Sequence, residues 1–397
     1  MKSFVLFIAR HILVMFLVFL AFFLYLASAV TNTGWFLLIA SFLVGFIFVC
    51  KILSWLNISN LQLQRSFNPL CIKGDKLKIR AEIKNDFFLP SFFVLAKDSI
   101  KSLSPKGEKM GGMLDFIGGY SEKSVDYEFQ IVLRGLHNMS KMSLISTFPF
   151  GLFFSEKKVT SPANLLVLPK TPSFKNISII RDRVGKIMND RKEKKNNVSG
   201  TDFYAMRNYN SSDGIRNISW PKSAQAGKLI VKDFSSPQGG NIAVYIDEGR
   251  DCEVGGVYDN PFEDMLSLAG GISDFAGRNS LEFKFLQDGQ ILNYRHFDFL
   301  NMLAVKKNDK NAQLPDFSKL DLHNTYVFFL SCSPKNVKKI YEAVNMPFSI
   351  VFFDALSFGK PKEMNYKTER DELTDLPIFF CSKGEDLSRL FERKGRT

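Results

Sequence analysis

The sequence predicts a multidomain chain: an N-terminal transmembrane helical hairpin, a β-sandwich, and then an α/β doubly wound domain. Three observations predict it. From Ile12 to Cys50 no residue is charged. Between residues 60 and 165, short segments alternate polar and apolar residues with period two. From Gly240 onward, short continuous apolar runs alternate with segments of helical spacing, the pattern of a parallel sheet covered on both faces.

Composition narrows the class further. The chain has 397 residues, of which 46% are hydrophobic and 23% charged, and its net charge is +12. Forty residues are Phe, far above ordinary usage. In residues 1–57 the only charged side chains are Lys2, Arg10 and Lys51. A purely soluble enzyme, a collagen, a coiled coil and a disulfide-rich toxin are excluded.

Residues 1–57 read as two transmembrane helices, about 12–30 and 35–55. Ile12–Val30 reaches roughly 28 Å as a helix, close to the ~30 Å hydrocarbon core. Thr31-Asn32-Thr33-Gly34 supplies the turn. Trp35 and Trp55 bracket the second span as an aromatic belt, and Lys51 is placed to snorkel. Lys2, Arg10 and His11 flank one side, and Lys51, Arg65 and Lys73 flank the same side after two crossings. The positive-inside rule puts both termini in the cytoplasm. Ala27-Ser28-Ala29 resembles a signal-peptidase site; cleavage there would still leave residues 58–397 cytosolic.

Residues 58–165 form the predicted β-sandwich. Lys76–Ile83 and Ser124–Leu133 alternate with period two. Lys73-Gly74-Asp75, Lys84-Asn85-Asp86 and the Gly-rich stretch Gly111–Tyr120 read as turns. Residues 166–199 read as a charged connector, whose basic run Arg181–Lys195 is a solvated linker or a contact to anionic lipid. Residues 200–397 hold a polar-aromatic segment and the α/β domain. Strands are expected at Asn241–Asp247, Ser280–Leu286, Tyr326–Leu330, Phe348–Phe353 and Ile378–Cys381. Helices are expected at Phe262–Gly277, Pro334–Val344 and Glu385–Arg393.

Chemistry has few places to sit. In open parallel sheets it gathers at the carboxyl ends of the strands. Three strands end in polar residues there, at Asp247, Ser331/Ser333 and Asp354. Two carboxylates plus hydroxyls suit Mg²⁺ or Ca²⁺, and Asp247, Asp251 and Asp354 are weak candidates for such a site; the alternative for Asp247 is a capping role. The five Cys are widely spaced and form no CxxC, which argues against a disulfide framework, and Cys252 and Cys332 read as buried small hydrophobes. No Walker A, nucleophile elbow or GxGxxG is present. Gly200–Phe234 interleaves Arg207, Asp213, Arg216, Lys222, Lys228 and Lys232 with Phe203, Tyr204, Tyr209, Trp220 and Phe234. Such a pattern can bind single-stranded nucleic acid; a membrane anchor makes that reading poor, and no nucleic-acid partner is expected. It equally fits a structural collar, with Asp213 paired to an Arg and Trp220 packed beneath.

The same stretch resembles the signature of the bacterial domain-of-unknown-function 58 family, close to G-x-x-F-x-x-x-R-x-Y-x-x-G-D-x-x-R-x-I-x-W-x-x-S-A-x-x-x-x-L. Gly200, Phe203, Arg207, Tyr209, Asp213, Arg216, Ile218, Trp220, Ser223, Ala224 and Leu229 fall on it in register. Thr147-Phe148-Pro149-Phe150-Gly151-Leu152-Phe153 is similar to a second family landmark. The chain departs from the pattern at Ser212, in place of Gly, and at Ser219, in place of an acidic residue. The resemblance implies that the α/β domain is von Willebrand factor A-like, with a metal motif Asp-x-Ser-x-Ser after its first strand. Here that motif reads Asp247-Glu248-Gly249-Arg250-Asp251, without either Ser and with an added cation, so no metal is expected. The resemblance further implies a multi-pass protein of the bacterial inner membrane that works with a MoxR-type AAA+ ATPase in protein maturation or envelope stress. The function read from these features is a non-enzymatic adaptor whose partner-binding residues are Arg207, Tyr209, Asp213, Arg216 and Trp220. Two alternatives stand beside it: a cation-dependent binding or hydrolytic site at the strand ends, and an envelope-assembly scaffold without an ATPase.

Overall fold

The computed structural model describes residues 2–98, 110–174, 177, 202–208, 219–235, 241–257, 259–320, 322, 325–344, 346–363 and 365–391. These fall into two compact units, Met1–Leu168 and Pro169–Thr397.

The first unit begins with α1 (Lys2–Thr31) and α2 (Gly34–Ser59), which pack against each other. Ile12–Thr31 and Gly34–Ser59 have mean hydropathies of 2.7 and 2.6 and are long enough to cross a membrane. Almost none of either segment is buried, so neither is the core helix of a soluble domain. The turn between them is closed by hydroxyls. Thr31 donates to Ala27 O at 2.7 Å, Ser28 donates to Thr33 O at 3.1 Å, and Asn32 takes the left-handed conformation.

Eight strands follow. β1 (Leu61–Phe67), β3 (Lys76–Asn85) and β6 (Glu122–Gln130) form one sheet. The other has the order β2-β8-β7-β4-β5, with β2 Leu70–Ile72, β4 Ser91–Asp98, β5 Met110–Ile117, β7 Gly135–Ser146 and β8 Ser155–Leu168. Alternate residues point inward. Leu77, Ile79, Ala81 and Ile83 of β3 meet Val94, Ala96, Met142, Leu144 and Leu165 in a single core. Gly111 and Gly112 lie within β5, not in a turn as their composition indicates. A Cβ on Gly111 would sit 1.9 Å from Ala96 O, and one on Gly112 would sit 2.1 Å from a Val125 methyl; the glycines here serve close strand approach.

The helical pair is bolted to this sandwich by polar contacts at the end of α2. Asn57 is buried. Its amide donates to Phe92 O and Ser146 Oγ, each at 2.8 Å, and its Oδ1 accepts from Phe92 N at 2.8 Å. Ser54 and Ser155 share a hydrogen bond of 2.8 Å. Lys157 Nζ donates to Ser59 O and Leu61 O at 2.6 and 2.8 Å. It thereby supplies a cation to the negative end of the helix dipole and a partner for the helix's last carbonyl. Asn57→Ala removes the side-chain acceptor of the half-buried Phe92 N–H. It is expected to cost about 1–3 kcal/mol and to speed hydrogen exchange at Phe92; unchanged exchange there would show that Asn57 is not the bolt.

The second unit holds a two-stranded hairpin and a six-stranded sheet. The hairpin pairs β9 (Asp202–Asn208) with β10 (Ile230–Ser235), and α3 (Trp220–Ala226) precedes β10. The sheet has the order β13-β12-β11-β14-β15-β16, parallel except for β13 against β12. Its strands are β11 Asn241–Ile246, β12 Glu282–Gln287, β13 Gln290–Asn293, β14 Thr325–Ser331, β15 Phe348–Phe353 and β16 Phe379–Cys381. The helices are α4 (Pro261–Arg278), α5 (His296–Val305), α6 (Pro334–Ala343), α7 (Ala355–Phe358) and α8 (Tyr366–Glu372).

Both faces of the sheet are covered. On one, Ala243, Tyr245, Val327, Phe329, Ile350 and Phe352 pack with Val337 and Ile340 of α6. On the other, Phe283 and Phe285 meet Phe299 of α5 at 4.6 and 5.3 Å between ring centres, and Phe328 meets Phe391 at 5.5 Å. All seven residues of β14 are buried, which is why its sequence is continuously apolar instead of alternating. α4 starts on an Asn260 cap, whose Oδ1 accepts from Glu263 N at 2.9 Å, with Pro261 in its first turn. Of the helix expected over Glu385–Arg393, residues 385–391 are described, and they do not form it. Only Leu387–Arg389 makes a single 3₁₀ turn, started by Asp386.

The connector is also corrected. Residues 169–174 belong to the second unit. Phe174 is buried against Phe391, with ring centres 5.4 Å apart. Gly270 and Gly271 of α4 leave room for Thr171 and Pro172, which a Cβ would strike at 2.4 and 2.6 Å. The basic run Arg181–Lys195 lies outside the described residues.

Candidate functional site

Two places carry the polar chemistry of the second unit. The first is the crevice where the strand order reverses, between β11 and β14. Ligands of open α/β sheets settle at that switch point. Asp247 follows β11 and is buried. Ser331, the last residue of β14, donates its hydroxyl to Asp247 Oδ2 at 2.5 Å, and Asn336 of α6 donates to both carboxylate oxygens at 3.0 Å. Burial pushes the Asp247 carboxyl up to about 6, against the lowering pull of the Ser331 and Asn336 hydrogen bonds. Desolvation of the charged form outweighs hydrogen bonds that favour it.

The loop after β11 is held covalently to the residue that follows β14. Cys252 and Cys332, 80 residues apart in sequence, form a disulfide with Cα atoms 5.7 Å apart. Both are buried. This corrects the reading of the two as separate small hydrophobes. Beneath them the Tyr366 hydroxyl donates to Cys332 O and accepts from Ala355 N, both at 2.9 Å, and burial raises its pKa above the ordinary tyrosine range.

The three carboxylates proposed from sequence are not pooled. Asp251 Oδ1 accepts from Lys362 N at 2.6 Å. Asp354 caps α7 through Leu356 N and pairs with Arg370 at 3.0 Å. Among the described residues, no group of three or more His, Cys, Asp or Glu side chains is placed to hold a metal ion. Each acid has its own partner, and at Asp354 that partner is a cation. On the β12 side lies a cleft of about 380 Å³, lined by Glu248, Asp288, Met302 and Lys306 among others. Glu248 pairs there with Lys306 at 2.6 Å and accepts from Asp309 N at 2.9 Å. The sequence points to Ser331 as a polar strand end beside Asp247, and the structure brings the two together; the sequence signals neither Asn336 nor the Glu248–Lys306 pair. These partners lie 58 to 89 residues apart, and no spacing signals the contacts.

The second place is the polar-aromatic segment within residues 200–234. Arg207 lies on β9 opposite Val231 of β10. Tyr209, Asp213 and Arg216 lie outside the described residues. Trp220, the first residue of α3, is 61% exposed; it is not packed beneath a collar. What fixes α3 is Ser223, which is buried and whose Oγ accepts from Ile230 N at 2.8 Å, while Ser219 N donates to Ile230 O at 2.8 Å. Thus one residue of the segment holds the helix to β10, and another is presented to its surroundings.

No family model matches the chain, and no curated protein matches it. Several solved structures show slight likeness. A CARDB domain from Pyrococcus furiosus is 10% identical over 27% of this chain and 87% of its own, with a TM-score of 0.21. A β-glucosidase from Listeria innocua is 12% identical over 27% of this chain and 16% of its own, with a TM-score of 0.17. A GH20 exo-β-N-acetylglucosaminidase from Vibrio harveyi is 7% identical over 74% of this chain and 57% of its own, with a TM-score of 0.19. Likeness this slight carries no argument about fold or activity.

Proposed function

We propose that this chain is a non-enzymatic, membrane-anchored adaptor of the domain-of-unknown-function 58 type. Its α1–α2 pair crosses the bacterial inner membrane, both termini are cytoplasmic, and its α/β unit is a von Willebrand factor A-like domain that docks a MoxR-type AAA+ ATPase. The membrane reading is supported by two helices of spanning length whose apolar sides are exposed nearly all round. The domain reading is supported by the order third-second-first-fourth-fifth-sixth strand, with an antiparallel third strand.

The observation that carries the adaptor reading is Trp220. A tryptophan presented to solvent on a helix held in place by Ser223 and Ile230 forgoes the burial that ordinarily keeps this residue inside. Tryptophan is also the residue most enriched among interface hot spots. Trp220→Ala is expected to weaken capture of the ATPase about thirtyfold or more, the effect of a hot spot worth ~2 kcal/mol, and to leave the unfolding temperature unchanged. The measurement is quantitative crosslinking and co-purification from membranes of the native host, alongside a thermal melt. Undiminished capture, or capture lost in step with stability, would remove Trp220 as the docking residue. Recovery of envelope-assembly proteins in place of an ATPase would turn the reading into a scaffold.

A further inference from the structure

The ends of the β-sandwich differ, and strand register says how. The chain leaves α2 and enters β1 at Leu61, which pairs with Asn85 at the end of β3. Lys84 pairs with Glu122 at the start of β6, Ser91 of β4 with Ile117 of β5, Val94 with Ser146 of β7, and Ser146 with Ser155 of β8. The connections at residues 86–90, 118–121 and 147–154 therefore all lie at the end to which α2 is bolted.

Exposed aromatic side chains follow this polarity. Among the described residues of the sandwich, the exposed large aromatics are Phe88, Phe93, Phe116, Tyr120, Phe150 and Phe154, and all six lie in or beside those connections. The exposed aliphatic residues away from them, Ile72, Met113 and Leu136, are scattered. Single exposed apolar side chains are ordinary, whereas a gathered set marks an interaction surface.

The occupant is indicated by continuity with the apolar helices. The Phe150 ring, 68% exposed, packs on Phe46 of α2 with ring centres 5.4 Å apart. Thirteen residues separate Phe46 from Ser59, so the 147–154 connection reaches about 20 Å back along α2. On the same stretch of α2, Phe42, Phe48 and Val49 are exposed. Phe42 and Val49 lie within about 60° of Phe46 around the helix, so a medium that covers them borders Phe150. Two lysines border the surface: Lys51 lies 5.2 Å from the Phe153 ring centre, and Lys123 lies 5.3 Å from that of Phe116. Aromatic bodies with cationic neighbours are the composition of a membrane interface.

We propose that this end of the β-sandwich is a bilayer-embedded face. Phe150 sits among acyl chains beside Phe46, and Phe88, Phe93, Phe116, Tyr120 and Phe154 surround it in the interfacial layer. The sandwich is then seated in one leaflet and does not swing on a tether. The proposal rests on the reading that α1 and α2 cross the membrane.

The test uses the full chain in phosphatidylcholine nanodiscs, where both membrane faces are open to solvent. Phe150→Trp is placed in a Trp35→Phe, Trp55→Phe, Trp220→Phe background. Acyl-brominated phosphatidylcholine is expected to quench this probe several-fold, and aqueous iodide to leave it unchanged. Leu136→Trp in the same background, at the opposite end of the sandwich, is expected to behave in the reverse way. A probe at position 150 that iodide quenches and brominated lipid does not would overturn the proposal. So would a probe shielded from both, which would place a second copy of the chain on this face. A chain retaining Trp35 alone separates the two layers of inference. If brominated lipid quenches Trp35 but not the probe at 150, the embedded face is wrong and the anchor stands; if neither is quenched, the anchor itself is wrong.

Discussion

Asp98→Ala is expected to destabilise the β-sandwich by about 3–5 kcal/mol, the cost of leaving one partner of a buried ion pair alone. Arg65 and Asp98 have side-chain exposures of 0% and 1% and an Nη1–Oδ2 distance of 2.8 Å. The same Nη1 reaches Asp98 Oδ1 at 3.1 Å, and Nη2 donates to Met139 O and Ser161 O. Tyr127 donates its hydroxyl to Asp98 Oδ2 at 3.1 Å. This network ties β1, β4, β6, β7 and β8 together inside the core, while Arg65 Nε has no partner. Removing Asp98 strands a guanidinium in an apolar medium, and the loss of solvation exceeds the lost attraction. The double variant Arg65→Met, Asp98→Leu is therefore expected to be less destabilised than either single variant predicts. Hydrogen exchange of the β3 and β7 amides, which reports opening of the sandwich itself, measures both. A loss under about 1 kcal/mol for Asp98→Ala, the scale of a surface pair, would mean that water reaches this pair.

Arg65 also shows where sequence reading runs out. It was read as a flanking charge that helps set membrane orientation, because a lone Arg shortly after an apolar span carries that meaning. Its acid lies 33 residues away, across two strands, and no local pattern announces it. Elements themselves were more legible. β3 alternates buried and less buried residues along its length, and Phe348–Phe353 is a strand with the bounds its apolar run predicts. β13 is not among the strands the apolar runs predict, yet its turn is written in the sequence. Asp288-Gly289 joins Gln287 to Gln290, and both turn residues have positive φ, as a two-residue hairpin demands. The disulfide was illegible for the reason that hid Arg65–Asp98. Parallel strands bring together residues separated by whole crossovers, so Cys252 and Cys332 meet only once β11 and β14 are neighbours. At the candidate site the strand ends point to Asp247 and Ser331, but Asn336 is an ordinary helix residue until the sheet places it.

Asp247 should make the stability of the α/β unit fall as pH rises between about 4 and about 6. Its carboxyl stands near 6 in the folded chain against 3.8 in the open one, raised first by burial. Over that window the folded state holds a proton that the unfolded state has already released. Folding is therefore favoured at the acid end and loses ground toward neutral pH. Two pKa units correspond to about 3 kcal/mol at most. Asp247→Asn cannot ionise, so its stability is expected to be flat where that of the natural chain slopes. Above pH 6 it should be the more stable of the two by about 1–2 kcal/mol, a figure reduced because an amide offers one acceptor where Ser331 and Asn336 now find two. The comparison is the difference in unfolding temperature between pH 4.5 and pH 7.5, taken for both chains so that every other titrating group cancels. Equal slopes would show that Asp247 is ionised in both states. A steeper fall in the natural chain would show that an ionised carboxylate is kept buried at the switch point at a standing cost to the fold. A group retained against stability in the crevice where α/β sheets bind their ligands is explained by function more readily than by packing.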